Sequence, residues 1–441
     1  MSTGSLSMVS GPDKEFWGKG RVPVLAIVVV GAAAGLLIVF GQWIYALSLV
    51  IVALVVRWPV EIALGSLAFL LPFDSVSAVG AEASGVALTR YVAGLAACAL
   101  LAVGLATRRL ATPPRAALWW SLFVAWGSVT MAWAEAPELA WERLPTALSL
   151  LVLFLAATSF RISTRELSAV AVLAILGGCC AALMASSQFY SGTFFHETWR
   201  SSLMIAGRET DPNQFAASLL LPLSLGVGGV MLAKSRFLRT GSMLAVITVS
   251  LALLLTMSRG SIIAALAIVG VYMYRFGVNR RVMAALACFA LLLLFMPQSF
   301  FARLALEDRG AGRFDIWAAS LGLLPHYGIF GAGWNNFIVV YTNIAGDAPK
   351  FHGYTEGSHN IYLGMTIEVG IIGVVFLLSA FRSQLREVRQ RIAVPYEAAC
   401  WAMLVMGITL DIIWRKSFWM PWILLAMAVR ARDGKETEAA L

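Results

Sequence analysis

Residues 312–337 read GRFDIWAASLGLLPHYGIFGAGWNNF, and residues 356–373 read EGSHNIYLGMTIEVGIIG. This stretch begins as the most polar part of a very apolar chain and ends inside a hydrophobic run. It contains an arginine near its start, a G-A-G sequence in its middle, and a histidine directly before the hydrophobic run. We expect the rest of the chain to be a scaffold that holds these groups at one side of a bilayer.

The composition around this stretch is that of a membrane protein. Of the 441 residues, 60% are hydrophobic and only 13% are charged. Apolar runs long enough to span a bilayer recur along the chain, which predicts an all-α polytopic membrane protein with about 12–14 transmembrane helices. Helices are expected because they satisfy their own backbone groups in lipid. The runs are continuous and do not alternate, which excludes a β-barrel.

The apolar runs also predict the organisation of the chain. Twelve spans remain if two pairs of short runs, 42–56 with 59–73 and 397–413 with 418–430, are each miscounted. The candidate spans are 22–41, 42–56, 59–73, 91–107, 117–134, 146–160, 167–187, 214–233, 242–257, 261–274, 282–297, 359–381, 397–413 and 418–430.

The basic residues predict the orientation. If the N-terminus is cytoplasmic and the spans alternate, most of the 33 Lys and Arg residues fall in inner segments, as the positive-inside rule requires. The expected divisions are a cytoplasmic tail, a helical scaffold, a large outer loop with an amphipathic helix, the C-terminal spans and a second cytoplasmic tail. Their ranges are 1–20, 21–297, 298–358, 359–430 and 431–441.

Several function classes are excluded or disfavoured by the same composition. The net charge of +9 does not indicate a nucleic-acid partner, because the basic residues sit in short loops and form no continuous face. The five cysteines lie in apolar runs and predict no disulfide framework. We expect neither a metal nor a cofactor, because the four histidines lack metal-binding spacing such as HExxH. Outer acids such as Glu356 could hold a divalent cation, but their spacing does not require one.

Two arginines near the outer boundary are candidate ligands for an anion. Arg259 lies in TMSRGS between two closely spaced spans. It is either an interfacial arginine that extends to water or a fixed cation for an anionic head group. Arg208 precedes DPNQFA and is a possible second cation nearby. Asp211 or Asn213 is expected to cap the helix that follows.

Arg313 opens a predicted amphipathic helix at the outer surface, because Phe314, Trp317 and Leu321 recur at helical spacing. Its guanidinium and the free N–H groups of the helix start could together bind a phosphate. The alternative is an ion pair with a neighbouring aspartate. Downstream, Gly331 and Gly333 do not form a nucleotide fingerprint, since no preceding strand or lysine accompanies them. We expect them to permit a tight turn beside the membrane.

His359 opens the apolar span predicted at 359–381, with Ser358 as the expected N-cap. The helix dipole disfavours a positive charge there, which leaves a neutral ring available to accept a proton from a hydroxyl. Glu368 lies nine residues further, within the same run. It is expected to point away from the face of His359 and to make a buried polar contact between helices.

Taken in order, these motifs resemble the O-antigen ligase and O-antigen polymerase superfamily. The resemblance covers the chain from about residue 200 onward. Its motifs are DPNQFA at 211–216, SRG at 258–260, R-x-x-x-W at 313–317, G-x-G at 331–333, and SHN-x-Y-L at 358–363 followed by E-x-G-x-x-G.

The resemblance implies a metal-independent glycosyltransferase of the GT-C-like membrane type in the bacterial inner membrane. The donor would be a glycan on undecaprenyl pyrophosphate, used at the periplasmic face. The acceptor would be a lipid A–core sugar for a ligase, or another lipid-linked repeat unit for a polymerase. His359, Arg259 and Arg313 map onto the catalytic pattern, although Arg303 and Arg309 lie close to the last of these. Arg208, Asn213, Asn335 and Glu356 are the candidate substrate-binding residues.

Three other functions remain as alternatives to a ligase-like enzyme. A polymerase of the same superfamily differs from a ligase in its acceptor, and a protein O-glycan transferase is a further option. A transporter of lipid-linked glycan would instead show inverted repeats, broken helices and charges near the midplane. The few midplane charges and the asymmetric outer loop favour an enzyme over a transporter. Besides the donor and acceptor, membrane lipid is the expected partner.

Overall fold

A computed structural model describes residue 50, residues 53–79, 86–294, 296, 298 and 301, and residues 313–345 and 357–431. The predicted spans at 22–41 and 42–56 lie wholly or mostly outside these residues. Within them the chain is a bundle of helices, and eight are long and apolar enough to cross a membrane. The prediction of an all-α polytopic membrane protein is therefore confirmed.

The helices follow one another with short connections, except around residues 191–211 and after residue 293. The bounds are α1 Pro59–Leu70, α2 Leu88–Ala106, α3 Arg115–Thr130, α4 Pro137–Ser159, α5 Thr164–Tyr190, α6 Pro212–Leu232, α7 Arg236–Leu255, α8 Arg259–Phe276, α9 Arg280–Leu293, α10 Arg313–Leu321, α11 Leu324–Tyr327, α12 Phe337–Ala345, α13 Ile361–Arg386, α14 Val394–Met406 and α15 Lys416–Arg430.

Two short antiparallel strand pairs lie in the loops between helices. Strands β1 (Ala78–Val79) and β2 (Val86–Ala87) pair before α2. Strands β3 (Met204–Ile205) and β4 (Arg208–Glu209) form a small hairpin before α6. The sequence analysis did not predict these pairs, because two-residue strands carry no hydrophobic pattern of their own.

Polar contacts at the helix ends define two faces of the bundle. We call one the site face; there α6, α8, α13 and α15 begin. For example, Lys416 at the start of α15 binds Asp74 just after α1, with 2.9 Å between Nζ and Oδ1. The opposite face is joined by ion pairs between Arg109 and Glu166 (2.8 Å) and between Arg275 and Glu397 (2.6 Å).

The core is made of large aromatic side chains beside close helix contacts. Trp120 of α3 packs against Trp419 of α15, with ring centroids 4.3 Å apart. Helix α6 is the most enclosed candidate span, because 89% of its most apolar 18-residue segment is buried inside the protein. Its Gly228 touches Pro395 at the start of α14, where a Cβ would approach the proline ring to 2.5 Å. Small residues in α6 therefore let neighbouring helices approach its backbone closely.

Two of the predicted spans differ clearly from the observed helices. Helix α14 ends at Met406, whereas the predicted span continued to residue 413. Residues 407–415 instead form a connector between α14 and α15. Helix α4 begins at Pro137, nine residues before the predicted span, and Pro145 lies inside it. The predicted span began too late because the first turns of α4 carry charged residues, which interrupt the apolar run.

Candidate active site

Arg259 is the first residue of α8 and lies half-buried on the site face. The backbone before it is sharply turned, since Met257 has a φ of 52°. Gly260 is pressed against the connector, where an added Cβ would overlap Oγ1 of Thr409. The start of α8 is therefore held in place by residues that follow α14.

His359 lies two residues before α13 and is half-buried. Its φ of 47° is unusual for a residue other than glycine and fixes how the chain enters the helix. The N-cap is Asn360, whose Oδ1 accepts from the N–H groups of Tyr362 (3.0 Å) and Leu363 (3.1 Å). The expectation that Ser358 caps the helix is wrong; Ser358 instead bonds the backbone of Asn360.

The helix of Arg313 is tied to the chain beside His359. The indole Nε1 of Trp317 in α10 donates to the carbonyl oxygen of Ser358 at 3.1 Å. Arg313 precedes Trp317 by four residues, so the two lie on the same side of α10. On α10 Phe314 and Leu321 are exposed and Ile316 is buried, so part of the predicted apolar stripe faces away from the protein.

The connector between α14 and α15 brings the two segments together. The N–H of Ile361 donates to the carbonyl oxygen of Gly407 at 2.8 Å, and Thr409 touches Gly260. His359 and Arg259 thus stand beside neighbouring residues of one short turn, although they are far apart in sequence. The Trp317–Ser358 bond adds the helix of Arg313 to this end of the bundle.

Helix α13 is broken one-third of the way along its length. Gly370 has φ 66° and ψ 178°, a conformation that essentially only glycine adopts. The break frees backbone groups that a lipid environment cannot satisfy. Those groups are taken up by residues 328–333, in which Ala332 donates to Ile367, Gly333 donates to Glu368, and Gly328 accepts from Ile371 at 2.7–3.0 Å.

Residues 328–336 therefore form a re-entrant loop that fills the break in α13. Gly331 and Gly333 have φ of 86° and 103°, as a tight turn requires. Trp334 is fully buried and packs against Trp414, with ring centroids 4.9 Å apart. The indole of Trp133 donates to the Gly331 carbonyl oxygen at 3.1 Å. The tight turn expected beside the membrane is thus part of a loop inserted into the bundle.

Comparison with known protein families gives a match for one segment of the chain. Residues 244–378 match the family described as O-antigen ligase. No curated protein matches the chain. This segment of the chain, about a third of its length, is similar to the O-antigen ligase family.

The O-antigen ligase segment contains Arg259, Arg313 and His359, together with the re-entrant loop and the break in α13. The catalytic assignments themselves stay predictions. Arg208 and Asn213 precede the matched segment. Arg208 is half-buried in the β3–β4 hairpin, where its backbone pairs with Ile205.

The side chain of Asn213 makes a hydrogen bond within the protein. Its Oδ1 accepts from Nη2 of Arg200 at 2.9 Å. The same guanidinium donates through Nε to the carbonyl oxygen of Thr256, also at 2.9 Å. Arg200 is 8% exposed and thus joins the start of α6 to the turn that leads into Arg259. The expected cap is observed at Asp211, whose Oδ1 accepts from Asn213 and Gln214.

Asn335 also makes protein contacts at both ends of its amide. Its Oδ1 accepts from Nη2 and Nε of Arg143 at 2.8 and 3.1 Å, and its Nδ2 donates to the Leu139 carbonyl oxygen at 3.0 Å. These bonds hold the re-entrant loop to α4. Glu356, Arg303 and Arg309 lie outside the described residues.

Glu368 is 5% exposed, as expected for a buried polar contact. Its neighbours differ from the expectation, because its carboxylate faces the backbone N–H groups of Asn335 and Phe337 in and after the loop. Arg143 and Asp411 are the charges nearest to it. The contact therefore joins α13 to the re-entrant loop more than to another helix.

Three functional candidates were missed by the sequence analysis: Arg143, Arg200 and Asp411. Burial raises the pKa of the Asp411 carboxyl above its ordinary value, against the opposing effect of nearby Arg143, His359 and Arg415. Arg143 and Arg200 did carry a signal, since both lie in outer segments against the inside preference for arginine. Asp411 carried a signal too, because it is a carboxylate inside the span predicted at 397–413. Within the described ranges, no cluster of three or more His, Cys, Asp or Glu side chains could hold a metal ion.

Proposed function

We propose that this chain is a glycosyltransferase that transfers a glycan from undecaprenyl pyrophosphate to an acceptor sugar at the periplasmic face of the inner membrane. The observation that carries the proposal is the convergence of Arg259, the helix of Arg313, and His359 around the connector on the site face. The similarity of residues 244–378 to the O-antigen ligase family supports the same reaction class.

The roles follow from the charges that the reaction develops. His359 takes the proton of the acceptor hydroxyl as the oxygen forms its bond to C1 of the donor sugar. The bond between C1 and the pyrophosphate oxygen breaks, and the pyrophosphate leaves as an anion. Arg259 and Arg313 stabilise that anion, and Arg208 lies in the same outer region. Because guanidinium groups supply the charge, the proposed reaction requires no metal.

A small apolar groove is compatible with contact to the lipid chain of a polyprenyl donor. It lies between α6, α7, α8 and α9, and its walls include Leu223, Val246, Leu266 and Phe289. Leu266 is seven residues after Arg259, which is about two helical turns. A lipid chain in this groove would place its head group near the start of α8.

The test is transfer from purified lipid-linked glycan in the presence of a chelator. We expect His359→Ala to lose transfer by about 100-fold or more, because a positioned base contributes roughly 10²–10⁴ in rate. His326→Ala is the matched control, since His326 is an exposed histidine on α11 and has no role in the proposed reaction. Full activity in His359→Ala would remove the proposed base.

The donor-binding role of Arg259 needs a separate measurement. Arg259→Ala is expected to weaken binding of the lipid-linked donor by about tenfold or more, because a charged hydrogen bond to phosphate is lost. Arg236→Ala, an exposed arginine on the opposite face, should bind donor as the wild type does. Equal donor affinity in Arg259→Ala and Arg236→Ala would contradict the assignment.

The acceptor is best identified by what accumulates in a deletion strain. If the chain acts as a ligase on lipid A–core, long glycan chains remain on the lipid carrier after deletion. If it acts as a polymerase, at most one repeat unit is attached to the final acceptor. The ligase-like assignment rests on the family match and would be replaced by the second result.

One observation favours the transporter alternative, and another disfavours it. Helix α13 is broken, as transporter helices often are. However, residues 328–336 fill the break and bond its freed backbone groups. Substrate flux across proteoliposomes without glycan transfer would favour the transporter.

A further inference from the structure

The site face contains a cluster of partly or fully buried charges that the proposed reaction does not use. Arg143 comes from α4, Glu368 from α13 and Asp411 from the connector. Arg143 is among the charges that act on both carboxylates. Its guanidinium also lies over the ring of Trp414, 5.8 Å from the centroid. One cation therefore joins three separate elements.

The burial of the two acids makes this cation necessary. Oε2 of Glu368 and Oδ1 of Asp411 are both inaccessible to water and have no hydrogen-bond partner within the described residues. A buried carboxylate is costly unless an opposite charge is close. Without Arg143 the two acids would lose the cation that acts on both of them, because His359 and Arg415 act on Asp411 and Glu368 would keep only backbone N–H groups among its stabilising neighbours.

The same cluster touches both segments that fix His359. Arg143 binds Asn335 in the re-entrant loop, and that loop bonds Ile367 and Glu368 in the first turns of α13. From the other side, Asp411 lies within electrostatic range of His359. A substitution of Arg143 would therefore affect the imidazole of His359 both through the re-entrant loop and through Asp411.

We propose that Arg143 is a positioning residue, which with Glu368 and Asp411 locks the re-entrant loop into the break of α13 and thereby fixes His359 in place. This inference rests on the proposed function for its catalytic part. The lock itself is independent of that function and can be measured without substrate.

The experiment uses the full-length purified protein and four variants: Arg143→Met, Arg143→Lys, Glu368→Gln and the double variant Arg143→Met/Glu368→Gln. Arg143→Lys keeps the charge but cannot make both bonds to Asn335, and it provides folded protein if Arg143→Met does not fold. Arg90→Met is the matched control. Arg90 is an exposed arginine on the site face that bonds Thr146 at 2.9 Å, outside the cluster.

The first readout is the midpoint of thermal unfolding in detergent. We expect Glu368→Gln to lower the midpoint when Arg143 is present and to raise it when Arg143 is replaced by Met. This reversal of sign is expected because removing one acid relieves the uncompensated pair. Additive effects of Arg143→Met and Glu368→Gln on the midpoint would contradict the proposed interaction between these residues. So would a midpoint that falls as far in Arg90→Met as in Arg143→Met.

The second readout separates turnover from donor binding. Arg143→Met, or Arg143→Lys if only that variant folds, should lower kcat by about tenfold or more, since a base displaced by about 1 Å can lose 10²-fold. The affinity for lipid-linked donor should change less than about threefold, because Arg259 and Arg313 are unaltered. A sign reversal in stability with unchanged kcat would overturn the link to His359. If the wild-type protein transfers no glycan, the proposed function is wrong, and so is the positioning role of Arg143. The unfolding midpoints of the four variants would still show whether Arg143, Glu368 and Asp411 hold the loop in the break.

Discussion

Gly370 permits the break in α13 because no other residue fits there. A Cβ at this position would overlap the carbonyl oxygen of Ile329, and the backbone lies in a region that L residues avoid. Strain of this kind costs about 1–3 kcal/mol before any clash is counted. The geometry of the re-entrant loop therefore depends on the absence of a side chain at a single residue.

Gly370→Ala is accordingly expected to destabilise the protein by about 3 kcal/mol or more and to abolish transfer, because the loop must leave the break. Gly270→Ala is the control, since Gly270 lies in the regular part of α8 with open space around its Cα. The control should lose no stability, because alanine is the better helix former. Thermal unfolding of both purified variants checks this; equal midpoints would contradict the role of Gly370.

Arg200 supports Arg259 through the backbone, because its guanidinium joins the Thr256 carbonyl oxygen to the Asn213 amide oxygen. Replacing Arg200 with Met is expected to cost about 2–4 kcal/mol, because the Thr256 carbonyl and the Asn213 amide both lose a charged donor. The exposed Arg236→Met should be neutral within about 0.5 kcal/mol. Chemical denaturation of the two variants in detergent measures the difference, and similar losses would contradict a buried structural role.

At the scale of elements, Trp334 anchors the re-entrant loop between helices. It is fully buried against Phe123, Trp414 and the backbone of Gly127. Trp334→Ala is expected to cost about 3–5 kcal/mol, as for other large buried aromatics. Trp141, which is 63% exposed on α4, provides the matched control and should tolerate alanine with little loss. If both variants unfold at the same temperature, Trp334 does not anchor the loop.

The helices of this bundle could be predicted from the sequence, while the re-entrant loop could not. Apolar length alone identifies a span such as α6, because lipid requires a continuous apolar surface. The loop 328–336 is short, contains polar Asn335, and reads as an ordinary turn. Its position depends on the break at Gly370, which is itself allowed only because the loop satisfies the freed backbone groups. Such mutual dependence between distant segments leaves no local pattern.

The candidate site divides in the same way. Arg259, Arg313 and His359 stood out because charged groups beside apolar runs are rare and costly. Arg143 and Asp411 were overlooked, because the first lay in a predicted outer loop and the second lay inside a predicted span that was too long. Both gain their importance from burial against residues of other elements, which only the packed structure reveals.

At the scale of the whole molecule, charge divides the two faces of the bundle. Described basic residues on the opposite face are Arg57, Arg108, Arg109, Arg115, Arg161, Arg165, Lys234, Arg236, Arg239, Arg275, Arg280, Arg281, Arg382, Arg386, Arg389, Arg391 and Arg430. Those on the site face are Arg90, Arg143, Arg200, Arg208, Arg259, Arg313, Arg415 and Lys416.

This asymmetry predicts that the opposite face is cytoplasmic, because short cytoplasmic loops retain Lys and Arg. The site face would then meet the periplasm, where a lipid-linked donor presents its glycan. The prediction can be checked with single cysteines in a variant whose five native cysteines are replaced. Ser191, exposed after α5, reports on the site face, and Ser235, exposed before α7, reports on the opposite face.

A membrane-impermeant maleimide applied to spheroplasts should label Ser191→Cys and leave Ser235→Cys unlabelled. Permeabilised membranes provide the control, since both cysteines should then react to the same extent. Labelling of Ser235→Cys alone in intact spheroplasts would place Arg259 and His359 in the cytoplasm. The arginines of the site face would then meet the cytoplasmic leaflet, and a donor used in the periplasm could not reach them.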